Sequence, residues 1–212
     1  MTISYENKLK YLLLDLSFSQ RRLFGIFCIS RIIGLYENID DFIDINEMNK
    51  NLKKGDASIL MKSIYNKLIN NDTYVVTELM EMRELCDFLV IDTDDTYDST
   101  TENVVFKIVA ECVYTFLSFL IDKKFNDILN CSVLVVDVIN AQISDVLFSL
   151  LRDEDKYDSE IEYLFESEYT IQIQAINFIF NNKIDEINNL IKKTTIPKQP
   201  KCTINLLNKY HQ

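Results

Sequence analysis

An all-α, single-domain helix bundle is the fold class this sequence predicts, and three observations predict it. Apolar residues recur at three- and four-residue spacing along nearly the whole chain. Chain-turning signals are scarce: the 212 residues include only three glycines, Gly25, Gly34 and Gly55, and two prolines, Pro197 and Pro200. No Asn-Gly or Asp-Gly pair offers a two-residue hairpin turn, so an all-β chain would have nowhere to reverse. With 48% hydrophobic and 26% charged residues, the balance is that of a folded globular chain. One core suffices at this length, and the expected organisation is a helical domain over 1–195 followed by a basic tail, 196–212, packed on it or fraying from it.

Residues 3–16 place Leu9, Leu12, Leu13 and Leu16 on one helical stripe. Ser17 or Ser19 then caps a second helix running to about Ile33, whose Leu23, Phe24, Phe27, Cys28 and Ile32 share a face, with Gly34 as its C′ residue. After Gly55, Asp56 reads as the N-cap of a helix bearing Ile59, Leu60, Ile64 and Leu68. A further helix is expected over 73–89, although its opening Tyr74-Val75-Val76 suits a strand equally well. The stretch 91–103, IDTDDTYDSTTEN, is polar, acidic and poor in helix formers, and reads as a long loop. Two long helices, about 104–121 and 124–151, are apolar on nearly every face, the pattern of central helices covered by neighbours. An acidic segment, 153–168, reads as the connection to a helix near 166–181, followed by an amphipathic helix near 183–193 and the proline-containing tail.

Charge and chemistry narrow the function classes. Asp and Glu number 33 against 22 Lys and Arg, a formal net charge of −11. Such a surplus argues against direct nucleic-acid binding, which rests on neutralising phosphates, and suits a basic protein partner. The tail lysines Lys192, Lys193, Lys198 and Lys201 lack the aromatic interleaving that single-strand binding uses. The one histidine, His211, is the penultimate residue, so it cannot anchor a nucleophile–base pair or a histidine metal site. Five cysteines, Cys28, Cys86, Cys112, Cys131 and Cys202, are widely spaced with no C-x-x-C pair, and read as reduced core thiols of a cytoplasmic protein. The start of the chain has no leader pattern, and nothing reaches the roughly 18 uninterrupted apolar residues of a membrane span. The expectation is a cytoplasmic chain with no catalytic residue, metal or cofactor, and no membrane contact.

Three groups of residues stand out as candidates. The loop carboxylates Asp92, Asp94, Asp95 and Asp98, with Glu102, supply oxygen ligands of the kind calcium prefers, but the sharp-turn glycine and twelfth-position glutamate of an EF-hand are missing. Presentation of these acids to Lys and Arg on a partner is the expectation. A second cluster, with Asp153, Asp155 and Asp158 interleaved with Tyr157 and Tyr163, combines steering charge with aromatic contact area, which is good interface chemistry. The third group is internal. Glu168 and Gln172 are four apart and share a helical face, whereas Glu166 points elsewhere. A partner from another helix, Arg31 or Glu111, would make a polar core group, and a buried Arg–Glu pair fixing helix register is the expected role.

Part of this pattern resembles a known family. Leu16, Gln20, Phe24, Arg31 and Tyr36, followed by Gly55-Asp56 opening a helix, are similar to the pattern of the all-helical bacterial proteins grouped as domain-of-unknown-function family 416, the YjaG-like family. Val109-Ala110-Glu111-Cys112 resembles its small-residue helix with one acid. Leu164, Glu166, Glu168 and Gln172, and then Ile204-Asn205-Leu206, resemble its acidic helix and closing segment. Leu68 stands where the family tends to have a tryptophan, and Gln174 where it tends to have an acid. The resemblance implies an all-helical, cytosolic, bacterial protein and carries over no catalytic residue.

Three functions from different classes fit these readings. The first is an immunity protein, an antitoxin of a bacterial competition system that neutralises a basic toxin, typically a nuclease, through its acidic surface. The second is a structural or regulatory helical protein acting as a homo-oligomer, of which a homodimer is the simplest form. The third is an enzyme working with carboxylates alone, which a convergent carboxylate cluster in a pocket would support. They are expected in that order.

Overall fold

A computed structural model describes residues 5–39, 55–71, 73–90, 101–150 and 154–196. Among these the regular elements are all helical. They are α1 (Tyr5–Leu14), α2 (Phe18–Ile32), a 3-10 helix (Ile33–Asn38), α3 (Asp56–Asn70), α4 (Val76–Asp87), α5 (Thr101–Asp122), α6 (Phe125–Leu150), α7 (Glu154–Phe180) and α8 (Ile184–Thr194). The all-α fold class and the two long central helices are as the periodicity predicts.

The hairpin of α5 and α6 forms the centre, because both helices are apolar over most of their circumference and need neighbours on several sides. Helix α2 lies across the pair, α4 covers the far flank of α5, and α1 and α7 cover α6, with α8 closing over α2 and α7. The 3-10 helix and α3 pack together beside α5. Phe24, Phe27, Val109, Val113, Phe116, Phe119 and Val135 are fully buried in the resulting core. Helix α5 is long and apolar enough to cross a membrane, yet most of it is buried against these neighbours.

Two local features set how closely the helices approach. Gly25 faces α5 so tightly that a Cβ there would sit 2.2 Å from the Phe116 ring, so any side chain would push α2 off the hairpin. Ser17 caps α2 with a complete capping box: its hydroxyl accepts from the Gln20 N–H at 3.3 Å, and its own N–H donates to Gln20 Oε1 at 3.0 Å.

Several expectations are corrected. Gly34 does not end α2 as a left-handed C′ residue. The chain tightens into the 3-10 helix instead, which carries Leu35 and Tyr36 into the core and lets the Tyr36 hydroxyl donate to the Leu89 carbonyl at 2.8 Å. Asp56 is the first helical residue, and Gly55 holds the cap position with φ +95°, a left-handed backbone that glycine adopts without steric cost. The acidic stretch 154–168 is not a connector: α7 begins at Glu154 and runs through it to Phe180. The end of the expected 91–103 loop is helical from Thr101.

The turns after α5 and α7 use left-handed non-glycine residues, Lys123 (φ 57°) and Asn182 (φ 54°). Cys28, Cys86, Cys112 and Cys131 are free and buried. Burial pushes the Cys28, Cys86 and Cys131 thiols well up, which leaves them protonated and chemically quiet.

Candidate partner-binding surface

Three of the four polar residues that the sequence places in the core, Arg31, Glu168 and Gln172, meet at one point. Arg31, near the end of α2, forms a two-pronged ion pair with Glu168 of α7: Nη1 donates to Oε1, and Nη2 donates to Oε2 at 2.7 Å. Gln172, one turn on, donates through Nε2 to Glu168 Oε1 at 2.9 Å and to the Ser132 carbonyl of α6 at 3.1 Å. Arg31 Nε donates to the Thr194 carbonyl at the end of α8 (3.0 Å), and the Arg31 carbonyl accepts the Ile196 N–H at 2.8 Å. The guanidinium also lies 5.4 Å from the centre of the Phe27 ring. Four helices are thus tied through one buried ion pair, with both charges almost wholly removed from water. Parallel donors matched to both carboxylate oxygens are the geometry that compensates such burial.

Glu111 stands apart from this group. It lies half-buried on the solvent side of α5, at an open groove of about 370 Å³ lined also by Tyr114, Thr115, Asn130, Val133 and Leu134. Burial raises its carboxyl above the usual range, Lys107 opposes the shift, and Asp137 of α6 adds to it. Asp137 is itself raised by burial.

The two acidic clusters expected to meet a partner fall largely beyond description. Asp92, Asp94, Asp95, Asp98 and Asp153 lie outside the described residues, and for Asp155, Tyr157 and Asp158 only the helical backbone of α7 is described. Tyr163 is 65% exposed, and Glu162 and Glu166 are exposed beside it.

A surface the sequence reading did not single out is fully described. Helix α4 packs on α5 through Leu79, Met82 and Cys86, with Leu89 following, a single row at three- and four-residue spacing. Most of the rest of its circumference is left to solvent. There Glu78, Glu81, Glu84 and Asp87 recur every third residue and wind across the face, all exposed. Between them stand Val76, Met80, Leu85 and Phe88, which are 56%, 42%, 43% and 58% exposed. The basic residue of this helix, Arg83, leans away toward Asp122 of α5, at 4.0 Å. No ion pair is made by the four acids among the described residues.

The placement of α4 is firm at both ends. Before it, Arg22 of α2 donates to the Tyr74 hydroxyl at 3.0 Å and to the carbonyls of Leu68 and Asn71, closing the end of α3. After it, Tyr36 holds the Leu89 carbonyl, and in its last turn Cys86 Sγ lies 3.4 Å from the Ala110 carbonyl. The signal was present in VTELMEMRELCDFL as acids at every third position. A single buried row leaves nearly all of them outside, but only the packing shows that nothing covers that side.

Comparison with known proteins bears on the fold. A DUF416 family protein from Shewanella baltica OS155 has a crystal structure that matches 89% of this chain and 95% of its own, with a TM-score of 0.62 at 14% sequence identity. The chain therefore has the fold of that DUF416 protein, as the resemblance of the helix signatures implies. No protein-family model and no curated protein matches the sequence.

Proposed function

We propose that this chain is an immunity protein of a bacterial competition system, a non-catalytic cytoplasmic antitoxin that neutralises a basic toxin, a nuclease by preference, through its acidic surface. The observation that carries the reading is where the charge sits. The chain has eleven more acids than bases, and Glu168 is the one buried carboxylate among the described residues. Carboxylates displayed in this way raise the encounter rate with a cationic surface and make association salt-sensitive. A nuclease must present such a surface to its substrate, and an acidic protein seated on it would exclude nucleic acid.

The runner-up, a homo-oligomeric structural or regulatory protein, draws on the exposed apolar residues of α4. Against it, the four carboxylates of that face would oppose their own copies across a two-fold interface. A pull-down of the tagged chain from its native cells at low and moderate salt, followed by a nuclease assay of the retained protein, tests the proposal. The expected result is a basic protein released progressively by salt, whose nuclease activity stoichiometric chain abolishes. Recovery of the chain alone, or of a partner whose activity the chain leaves unchanged, overturns it.

A further inference from the structure

We infer that the outer face of α4 is the docking surface for the basic partner, and that the partner meets it with Lys or Arg side chains set around an apolar contact. This rests on the functional reading above and names the surface that reading leaves open. The face is unpartnered: Met80, Leu85 and Phe88 are all more than 40% exposed on a helix whose buried row lies on the other side. Glu81, Glu84 and Asp87 alternate with them. Exposed apolar side chains rimmed by carboxylates mark an interaction surface, and the charge sign selects a cationic one.

Rigidity strengthens the assignment. Contacts of Arg22 with Tyr74 and of Tyr36 with Leu89 fix both ends of the helix, so a partner would order little backbone on binding. A second copy is a poor occupant, because each α4 brings four acids against one arginine that is turned toward Asp122. Other exposed acids also have apolar neighbours, Glu162 and Glu166 beside Tyr163 for one, but α4 sets three acids and three apolar residues along one short segment held at both ends. On α8, Asp185 and Glu186 share their helix with Lys192 and Lys193.

The test uses the full chain and a labelled synthetic helix with lysine and leucine at helical spacing, its binding followed by fluorescence anisotropy across a salt series. Glu81→Lys with Glu84→Lys should weaken binding about tenfold or more and flatten its salt dependence. Leu85→Ser with Phe88→Ser should weaken it about tenfold with the salt dependence retained. The charge-matched pair Asp185→Lys with Glu186→Lys should change it less than about threefold. Unfolding midpoints within about 2 °C of the parent would show that the variants remain folded.

Equal losses from the α4 and α8 charge reversals, or no loss from the apolar pair, would overturn the assignment to α4. The immunity reading would then still stand if the pull-down retained an inhibited nuclease. Conversely, α4-specific binding of the helix with no nuclease in the pull-down would keep the surface and lose the toxin. A dimer in sedimentation analysis that Phe88→Ser dissociates would give the face to a second copy and overturn the inference.

Discussion

The junction at Arg31 and the outer face of α4 treat charge in opposite ways. At the junction, two opposite charges 137 residues apart in sequence are locked together, with the Gln172 amide of α7 bridging to the Ser132 carbonyl of α6 and the Thr194 carbonyl of α8 accepting from Arg31 Nε. On α4, four like charges stand exposed beside apolar side chains and make no ion pair among the described residues. A buried charge is tolerated only when its partner is fixed, so the first arrangement sets how the helices register. Exposed charges add little to stability, so the second is free to serve association. Charge inside this chain is structural, and charge outside it is available.

The largest expected effect breaks the first region. Glu168→Ala leaves the Arg31 guanidinium buried without its counter-charge, and denaturant unfolding should show a loss of about 3–5 kcal/mol. Replacing both partners, Arg31→Met with Glu168→Leu, should recover all but about 1.5 kcal/mol of the loss, because the expensive element is an unpaired charge. If the double variant is as unstable as the single, the ion pair holds the four helices in a way apolar packing cannot reproduce.

Next in size is a change two turns earlier on the same helix. Gly25→Ala would press a methyl group into the Phe116 ring, and overpacking of this kind costs about 1–3 kcal/mol. Paired with Phe116→Leu, which trims the ring, the loss should shrink, since the two changes share one contact. This separates packing from charge as the origin of the α2 register. By contrast, Glu81→Lys with Glu84→Lys on α4 should shift unfolding by no more than about 0.5 kcal/mol. A greater loss there would mean that the face is structural, and the contrast between the two regions would fail.

The sequence made the first region legible and the second nearly invisible, for physical reasons. Glu168 and Gln172 are four apart on a helix otherwise rich in apolar residues, and Arg31 lies at the end of an apolar stripe; buried charge needs a partner, so a pairing could be expected. Which acid would pair with Arg31 could not be read, because Glu111 and Glu168 both lie on other helices and their spacing in sequence does not say which of them faces α2. Packing decides it, turning Glu111 to the solvent side of α5. Helix existence followed from apolar spacing, but ends did not. Gly34 gave way to a 3-10 turn that buries Tyr36, and Lys123 and Asn182 make left-handed turns where no glycine signals one. On α4, four acids at every third residue have the spacing of an ordinary solvated surface, whereas the runs at 92–98 and 153–158 are denser in acids. Density of charge is visible in sequence; exposed apolar residues beside it become visible only once the buried row is known.

Between the two extremes lie Glu111, at its open groove, and its neighbour Asp137 of α6, and they test whether half-burial behaves as an intermediate case. Burial raises both carboxyls in the folded chain, Glu111 with Lys107 opposing and Asp137 adding. The folded state therefore binds protons more tightly than the unfolded chain. The stability supplied by protonation is complete below the ordinary carboxylate range and is lost as pH rises through the raised folded values. Glu111→Gln with Asp137→Asn removes two charges that are held against desolvation. Relative to the parent, its melting temperature should fall less as pH climbs from the carboxylate range to neutrality, and should stand higher at pH 7. Solvent screening at half-exposed sites limits the gain to about 1–2 °C, within reach of scanning calorimetry. Parallel pH curves for the two proteins would show that water already compensates both charges. These acids would then belong with the exposed carboxylates of α4, and Glu168 would stand alone among the described residues as the acid whose burial the fold must answer.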